Sequence, residues 1–274
     1  MIEYDFYIVP TPIGNLGDIT QRAIDVLNNV DVIACEDMRV TQKLLNHFDI
    51  KTKCVSYHKF NEKERINSFV EILKSGKKMA LVSDAGTPLF CDPGAVIVEE
   101  LRKNNFKVTS LPGANAVVTF LSQVPREDEE FTFVGFLPKT KSQILDILKK
   151  TKTNDVVFYD SPNRFMGTLE IIEEYSPAAK VAVGRELTKV FEEVIIDNVS
   201  NVIKYFQEHP LKGEIAAMVY RACENQDDAD LDEKIEILKA KNYKAKDISI
   251  ILSSLYGVNK LSLIHISEPT RRVV

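Results

Sequence analysis

The chain has no tryptophan, and among its 274 residues there are only four cysteines and four histidines. Each scarcity removes a class of protein. Cys35, Cys54, Cys91 and Cys223 are too few and too scattered for a disulfide framework, and no Cys-x-x-Cys pair occurs. His47, His58, His209 and His265 show no zinc-ligand spacing, so no structural metal is expected. No apolar run approaches the ~20 residues that span a bilayer. The first residues, Met1-Ile2-Glu3-Tyr4-Asp5, are acidic and lack the basic flank of a signal peptide. A cytoplasmic protein without a membrane partner is expected. The net charge of -5 argues against coating nucleic acid through the whole surface, and against DNA as a partner, while leaving room for a local basic groove. Neither Gly-x-x-x-x-Gly-Lys-Ser/Thr nor Gly-x-Gly-x-x-Gly is present, which excludes the two common nucleotide fingerprints.

What the chain does contain is repeated strand–loop–helix punctuation. Apolar runs at Tyr4–Val9, Val30–Ala34, Lys53–Tyr57, Met79–Val82 and Phe106–Ser110 alternate with helical patterns, of which Glu62–Lys74 and Ala95–Lys103 are the clearest. This predicts an α/β fold with a parallel N-terminal sheet covered on both faces. After the acidic hinge Pro125–Glu130 a second α/β unit is predicted. Its strands are Phe131–Phe136, Val156–Tyr159, Lys180–Val183, Val190–Ile196 and Ile215–Tyr220, in a mixed or mostly antiparallel sheet with helices on one side. The predicted organisation is an N-terminal domain over 1–124, a C-terminal domain over 125–222, a linker and small helical module over 223–260, and a tail over 261–274. The stretch Leu263-Ile264-His265-Ile266-Ser267-Glu268-Pro269-Thr270-Arg271 resembles the translation of a sequencing adapter and is set aside as non-native.

The densest local signal is Ser83-Asp84-Ala85-Gly86-Thr87-Pro88, closed by Cys91-Asp92-Pro93-Gly94. It follows the strand Met79–Val82 at the end where open α/β sheets hold ligands. Small residues there let main-chain groups approach a small molecule, although a merely tight turn fits the same composition.

Six blocks in order carry a resemblance. They are Pro10–Asp18, Cys35-Glu36-Asp37-Met38-Arg39, Ser83–Pro88 with Asp92-Pro93-Gly94, Leu111-Pro112-Gly113-Ala114-Asn115-Ala116, Tyr159-Asp160-Ser161-Pro162-Asn163-Arg164, and Arg185-Glu186-Leu187-Thr188-Lys189. Together they resemble the RsmI family, bacterial enzymes that methylate a cytidine ribose 2′-hydroxyl in 16S ribosomal RNA, within the tetrapyrrole methylase fold group. The likeness runs over about residues 5–258. Departures are Met38 where the family usually has threonine, Ala114-Asn115 for proline-serine, and Asp160 and Asn163 for glutamate and histidine.

The resemblance implies two α/β domains with the active cleft between them, S-adenosylmethionine as methyl donor, 16S rRNA of the small ribosomal subunit as partner, and a homodimer. Donor-binding residues implied are Pro12, Gly14, Asp84, Ala85, Gly86, Thr87, Pro112, Gly113, Ala114 and Ala116. Gly14 would admit the donor to the backbone, and the Asp84 carboxylate would accept from its amino or ribose groups, unless it caps its own loop. Glu36, Asp37 and Asp92 are candidate bases for the hydroxyl proton, with Lys189 steadying the developing alkoxide. Each acid could equally cap a helix. Arg39, Tyr159, Asn163, Arg164, Arg185 and Lys189 are the candidates for RNA, the cations through phosphate and the Tyr159–Arg164 block through a base; surface salt bridges are the alternative for the cations. Two rival functions remain open. One is a tetrapyrrole carbon methyltransferase of the same fold, and the other is a non-enzymatic RNA-binding assembly factor.

Overall fold

The computed structural model describes residues 3–127, 129–151, 153–209, 211–221, 228–241 and 243–256. Two compact units divide after Arg221. In the first, β1 (Phe6–Ile8), β2 (Val32–Cys35), β3 (Lys53–Ser56), β4 (Met79–Val82) and β5 (Val108–Ser110) form a sheet of order β3-β2-β4-β1-β5. Every pairing in it is parallel. Strands β2 and β4 are buried along their whole length, the continuous apolar reading of strands covered on both faces.

Alternation sorts the side chains. Phe6, Ile8, Val32, Ala34, Met79 and Leu81 face α3 (Glu62–Lys74) and α4 (Ala95–Lys103), through Phe69, Val70, Leu73, Ile97 and Leu101. Tyr7, Val9, Ile33, Cys35, Ala80 and Val82 face α1 (Gln21–Asn29) and α2 (Met38–His47), through Ala23, Val26, Leu27 and Leu45. Adjacent strands β1 and β4 thus send their following helices to opposite faces. That is a topological switch point, and a crevice opens at the carboxyl ends of the two strands.

The helix after β5, α5 (Ala116–Leu121), leaves this sheet and places Val117, Phe120 and Leu121 against Val157, Ala182, Ala216 and Met218 of a second one. The second sheet comprises β6 (Phe131–Phe136), β7 (Asp155–Asp160), β8 (Lys180–Arg185), β9 (Glu193–Asn198) and β10 (Ile215–Val219), in the order β6-β7-β10-β8-β9. Only β6–β7 is parallel. Its other face is covered by α6 (Lys141–Lys150), α7 (Pro162–Tyr175) and α8 (Val199–Glu208).

Two features differ from the sequence reading. Helix α8 has no counterpart there, although Val199, Val202, Ile203 and Phe206 are buried at helical spacing. Strand β9 begins at Glu193 rather than Val190, because the chain turns through Glu186 (φ 51°) and Thr188 (φ 65°) and leaves Val190 and Phe191 93% and 75% exposed. The second unit contains α9 (Asp228–Ala240) and α10 (Ala245–Tyr256), joined by Ile235, Leu238, Ile248 and Leu252. Of the expected linker over 225–230, residues 225–227 lie outside the described residues, as does the tail over 261–274, whereas residues 228–230 open α9 instead of continuing the linker. Among the described residues no helix is long and apolar enough to cross a membrane.

Gly184 is where α5 meets the second sheet most closely. A Cβ there would lie 2.6 Å from the Phe120 ring and 3.1 Å from Leu187. Gly184→Ala is therefore expected to destabilise the fold by about 1–3 kcal/mol, the usual range for overpacking. Urea unfolding should show a lower midpoint at an unchanged slope.

Candidate active site

The loops after β1 and β4 are built as a pair. Thr11 and Gly86 exchange main-chain hydrogen bonds, N–H to O at 2.9 Å in both directions. Gly86 sits at φ 76°, a conformation that side chains rarely adopt, and so explains its own identity. Buried Thr11 donates its hydroxyl to the Ser83 carbonyl at 3.0 Å. The Ser83 hydroxyl lies 3.2 Å from the carbonyls of Ala85 and Gly86. Further on, the Thr87 hydroxyl donates to the Ala114 carbonyl at 2.9 Å. The Glu62 carboxylate closes the loop by accepting from the Gly94 N–H at 3.0 Å and from the Tyr57 hydroxyl at 2.7 Å.

Beside these loops lies a cleft of about 400 Å³. Asp84, Ala85, Gly86, Thr87, Asp92, Ala116 and Tyr159 of the sequence-expected residues line it. Pro12, Gly14, Pro112, Gly113 and Ala114 do not. Gly14 needs correcting in its reason: a Cβ there would strike Lys189 Cγ at 2.5 Å, Thr188 Oγ1 at 2.7 Å and the Leu187 carbonyl at 2.8 Å. Its bareness admits the protein's own 187–189 segment rather than a ligand. Gly113 likewise backs onto Pro10, at 2.6 Å.

The candidate acids separate by environment. Asp37 caps α2, its Oδ1 accepting from the Arg39 N–H at 2.8 Å, and pairs with the Arg39 guanidinium at 2.6 Å. Those Arg39 bonds hold its carboxyl down at about 2. Asp84 accepts from the Asp37 N–H at 3.0 Å, so its carboxylate bridges two loops instead of capping its own. Glu36 is half-buried, and burial first, then the charges of Asp92 and Asp84, push its carboxyl above the usual range, with His58 opposing. Burial also raises Asp92, with Asp84 adding to it, against a hydrogen bond to Ser83 that lowers it. Glu36, Asp84 and Asp92 are thus a mutually repelling group at the strand ends. The Nδ1 of His58 is buried with no hydrogen-bond partner.

The expected cationic rim is heavily paired. Arg164 Nε donates to buried Asp160 at 3.0 Å, its Nη2 also bonds Asp160 and the Leu137 carbonyl (3.0 Å), and Asp160 accepts from Thr168 at 2.6 Å. This guanidinium is built into the fold. Arg185 pairs with Glu193 at 3.1 Å. Lys189 donates to Glu186 at 2.8 Å and Glu214 at 3.1 Å. Burial alone would lower the Lys189 ammonium, but these two partners outweigh it and raise it. Asn163 is exposed at the start of α7. Phe90, Phe136, Asn115 and Glu214 also line the cleft and were missed from sequence. Asn115 had a legible signal: as N-cap of α5 its Oδ1 accepts from Val117 and Val118, at 3.0 and 3.2 Å.

Comparison with known proteins shows what the chain is similar to. The family model for Tetrapyrrole (Corrin/Porphyrin) Methylases matches residues 5–203. Ribosomal RNA small subunit methyltransferase I of Bacillus subtilis (strain 168) is 41% identical, over 94% of this chain and 88% of that protein. The protein of the same name from Vibrio cholerae serotype O1 is 40% identical, over 94% and 92%. Among solved structures, a diphthine synthase superposes with a TM-score of 0.61 at 12% identity, over 78% of this chain and 89% of that one, which speaks to the fold alone.

The repulsion among the acids has a measurable sign. A carboxyl raised by folding stabilises the fold while protonated and loses that contribution as pH rises through its folded value. At neutral pH ionised Glu36 therefore opposes folding. Glu36→Gln is expected to raise the melting temperature of the ligand-free protein at pH 7, by a margin that shrinks as pH falls into the ordinary carboxylate range. Thermal unfolding across pH 4–8 checks it; an equal or lower melting temperature at pH 7 would refute the crowding.

Proposed function

The chain belongs to the ribosomal RNA small subunit methyltransferase I family of tetrapyrrole methylases, and on that premise we propose that it transfers a methyl group from S-adenosylmethionine to 16S rRNA, the acceptor being a cytidine ribose 2′-hydroxyl. The observation that carries the reading is the acid group Glu36, Asp84 and Asp92 beside a cleft at the β1/β4 switch point. The cleft volume of about 400 Å³ falls within the ~300–1,000 Å³ of small-molecule sites. Three carboxylates that repel one another gain from a cation placed among them. The donor supplies an electrophilic methyl on a positively charged sulfur, and it leaves as a thioether without that charge. A site of this kind holds the donor more tightly than the demethylated product.

Within this reading the residues divide the work. The main chain of Ala85, Gly86 and Thr87 forms the donor wall, and Asp84 anchors it. The acceptor oxygen gives up its proton as its bond to carbon forms. Asp92 suits that proton best: it lines the cleft, and burial raises its carboxyl above the ordinary carboxylate range, which makes it a stronger base than Asp37. Asp37, held at about 2, is a weak base. Arg39, whose pair with Asp37 is solvent-exposed, can exchange that partner for an RNA phosphate. Arg164 serves Asp160 and the fold instead. Relatives bearing the rRNA methyltransferase name align along nearly the whole chain, which favours RNA over a porphyrinoid acceptor.

Small ribosomal subunits from a strain lacking the modification are the test substrate. Wild-type protein is expected to transfer label from S-adenosylmethionine to 16S rRNA at a ribose, and absence of transfer would sink the reading. Asp84→Ala should weaken donor binding by roughly ten-fold or more, since a hydrogen bond to a charged group contributes about 1.5–3 kcal/mol. Calorimetry should also show donor affinity falling as pH drops and Glu36 and Asp92 take up protons, with the demethylated product less affected.

A further inference from the structure

The cleft has a second wall that the donor reading leaves unused. Strand β6 runs parallel to β7, with Phe133 opposite Val157 and Phe136 opposite Tyr159. Three residues on β6 thus span two on β7, so one residue is extra, and Gly135 stands there at φ 69°. Bulges are rare in parallel pairs and favour places where a side chain must be re-aimed. In a regular strand residues 133 and 136 would point to opposite faces. Here both meet Tyr159, with ring centroids 5.2 Å and 5.4 Å away. Phe90, from the loop after β4, stacks on Phe133 at 5.0 Å and 9°. The four rings form a continuous shelf, of which Phe90, Tyr159 and Phe136 face the cleft, and Phe136 remains 64% exposed.

Charge limits what can lie on that shelf. Among the described residues that line the cleft none is Lys or Arg; of its acids, Asp160 and Glu214 are paired with Arg164 and Lys189 from outside the lining, and the charge of Asp84 and Asp92 is left unbalanced. A phosphodiester is repelled from such a space, whereas an uncharged base and its sugar are not. A base drawn out of its stack also needs a flat apolar partner to replace the one it left.

We propose that the bulged Phe136, with Tyr159 and Phe90, is the stacking shelf for the nucleobase of the methylated nucleotide, which enters extruded from its RNA helix while its phosphates stay outside the cleft. This deepens the proposed function and rests on it. Phe136 is the specificity-determining contact because it is the most exposed ring of the shelf and the bulge exists to aim it. The shelf takes the acceptor base and not the donor's adenine.

Phe136→Ala and Phe136→Trp test this with small ribosomal subunits as substrate. Phe136→Ala is expected to keep the wild-type melting temperature and donor affinity by calorimetry while kcat/KM for the subunits falls roughly ten-fold or more, the scale of one lost base–aromatic stack. Phe136→Trp should restore most of the rate. Because the chain has no tryptophan, the new indole is the sole indole emitter, and saturating S-adenosylmethionine alone should leave its fluorescence unchanged. Unchanged kcat/KM in Phe136→Ala, failure of tryptophan to rescue, or quenching and weakened affinity with the donor alone would each overturn the shelf. Failure of the wild-type protein to methylate the subunits would instead overturn the broader function, and the shelf with it.

Discussion

Two hydrogen bonds between Thr11 and Gly86 are the constraint on which the site depends. Adjacent parallel strands diverge after their last paired residue, and β1 and β4 do so toward opposite faces of the sheet. Left alone, the two chain segments would separate and the crevice would have no fixed floor. The Thr11–Gly86 exchange, an antiparallel bridge beyond the parallel sheet, ties the two loops back together. It requires a positive φ at residue 86, and glycine supplies it without strain. Everything that follows in the loop, from Ala85 at the cleft to Thr87 tied to Ala114, takes its place from that step.

The electrostatic design is asymmetric. Asp84 and Asp92 face the cleft with no ion pair among the described residues, while the basic side chains near it are paired: Arg164 with Asp160, Arg185 with Glu193, and Lys189 with Glu186 and Glu214, of which Asp160 and Glu214 also line the cleft. Removing Arg164 would leave the fully buried Asp160 carboxylate without its cation, so this pair fixes the start of α7 more than it recruits ligand. A cleft held negative this way selects for cationic or neutral groups. The whole-chain charge of -5 carries little of that information, because the selection comes from where the charges sit.

Much of the scaffold was legible because it rests on local signals. The predicted ranges of α3, α4, β4 and β6 coincide with those observed, since each is bounded by turn residues and carries one clear period. The strand-end loop stood out by composition. What escaped depends on contacts distant in sequence. Gly14 looked like a ligand glycine because nothing local reveals that residues 187–189 press against it. Arg164 and Arg185 are nearer cases: their acids stand four and eight residues away, the salt-bridge alternative was open for both, and only the turn into α7 and the β8–β9 pairing decide for it. The bulge at Gly135 is invisible to an alternation rule, and Phe136 was therefore read as an ordinary strand end. Helix α8 is the exception: Val199, Val202, Ile203 and Phe206 carry a helical spacing in the sequence, yet no element is assigned between the strand ending at Ile196 and the one beginning at Ile215.

The loop from Ser83 to Gly94 raises a last question of energy. Leu89 (φ 69°) and Cys91 (φ 90°) both hold left-handed backbone conformations, which cost of order 1–3 kcal/mol each. The Phe90–Phe133 stack, at about 0.5–1.5 kcal/mol, cannot offset that alone. The Gly94 N–H to Glu62 bond adds about 1.5–3 kcal/mol, and the neutral bonds from Thr87 and Gly86 about 1 kcal/mol each. The sums are comparable, so the loop holds its shape only while anchored at both ends and at its middle ring.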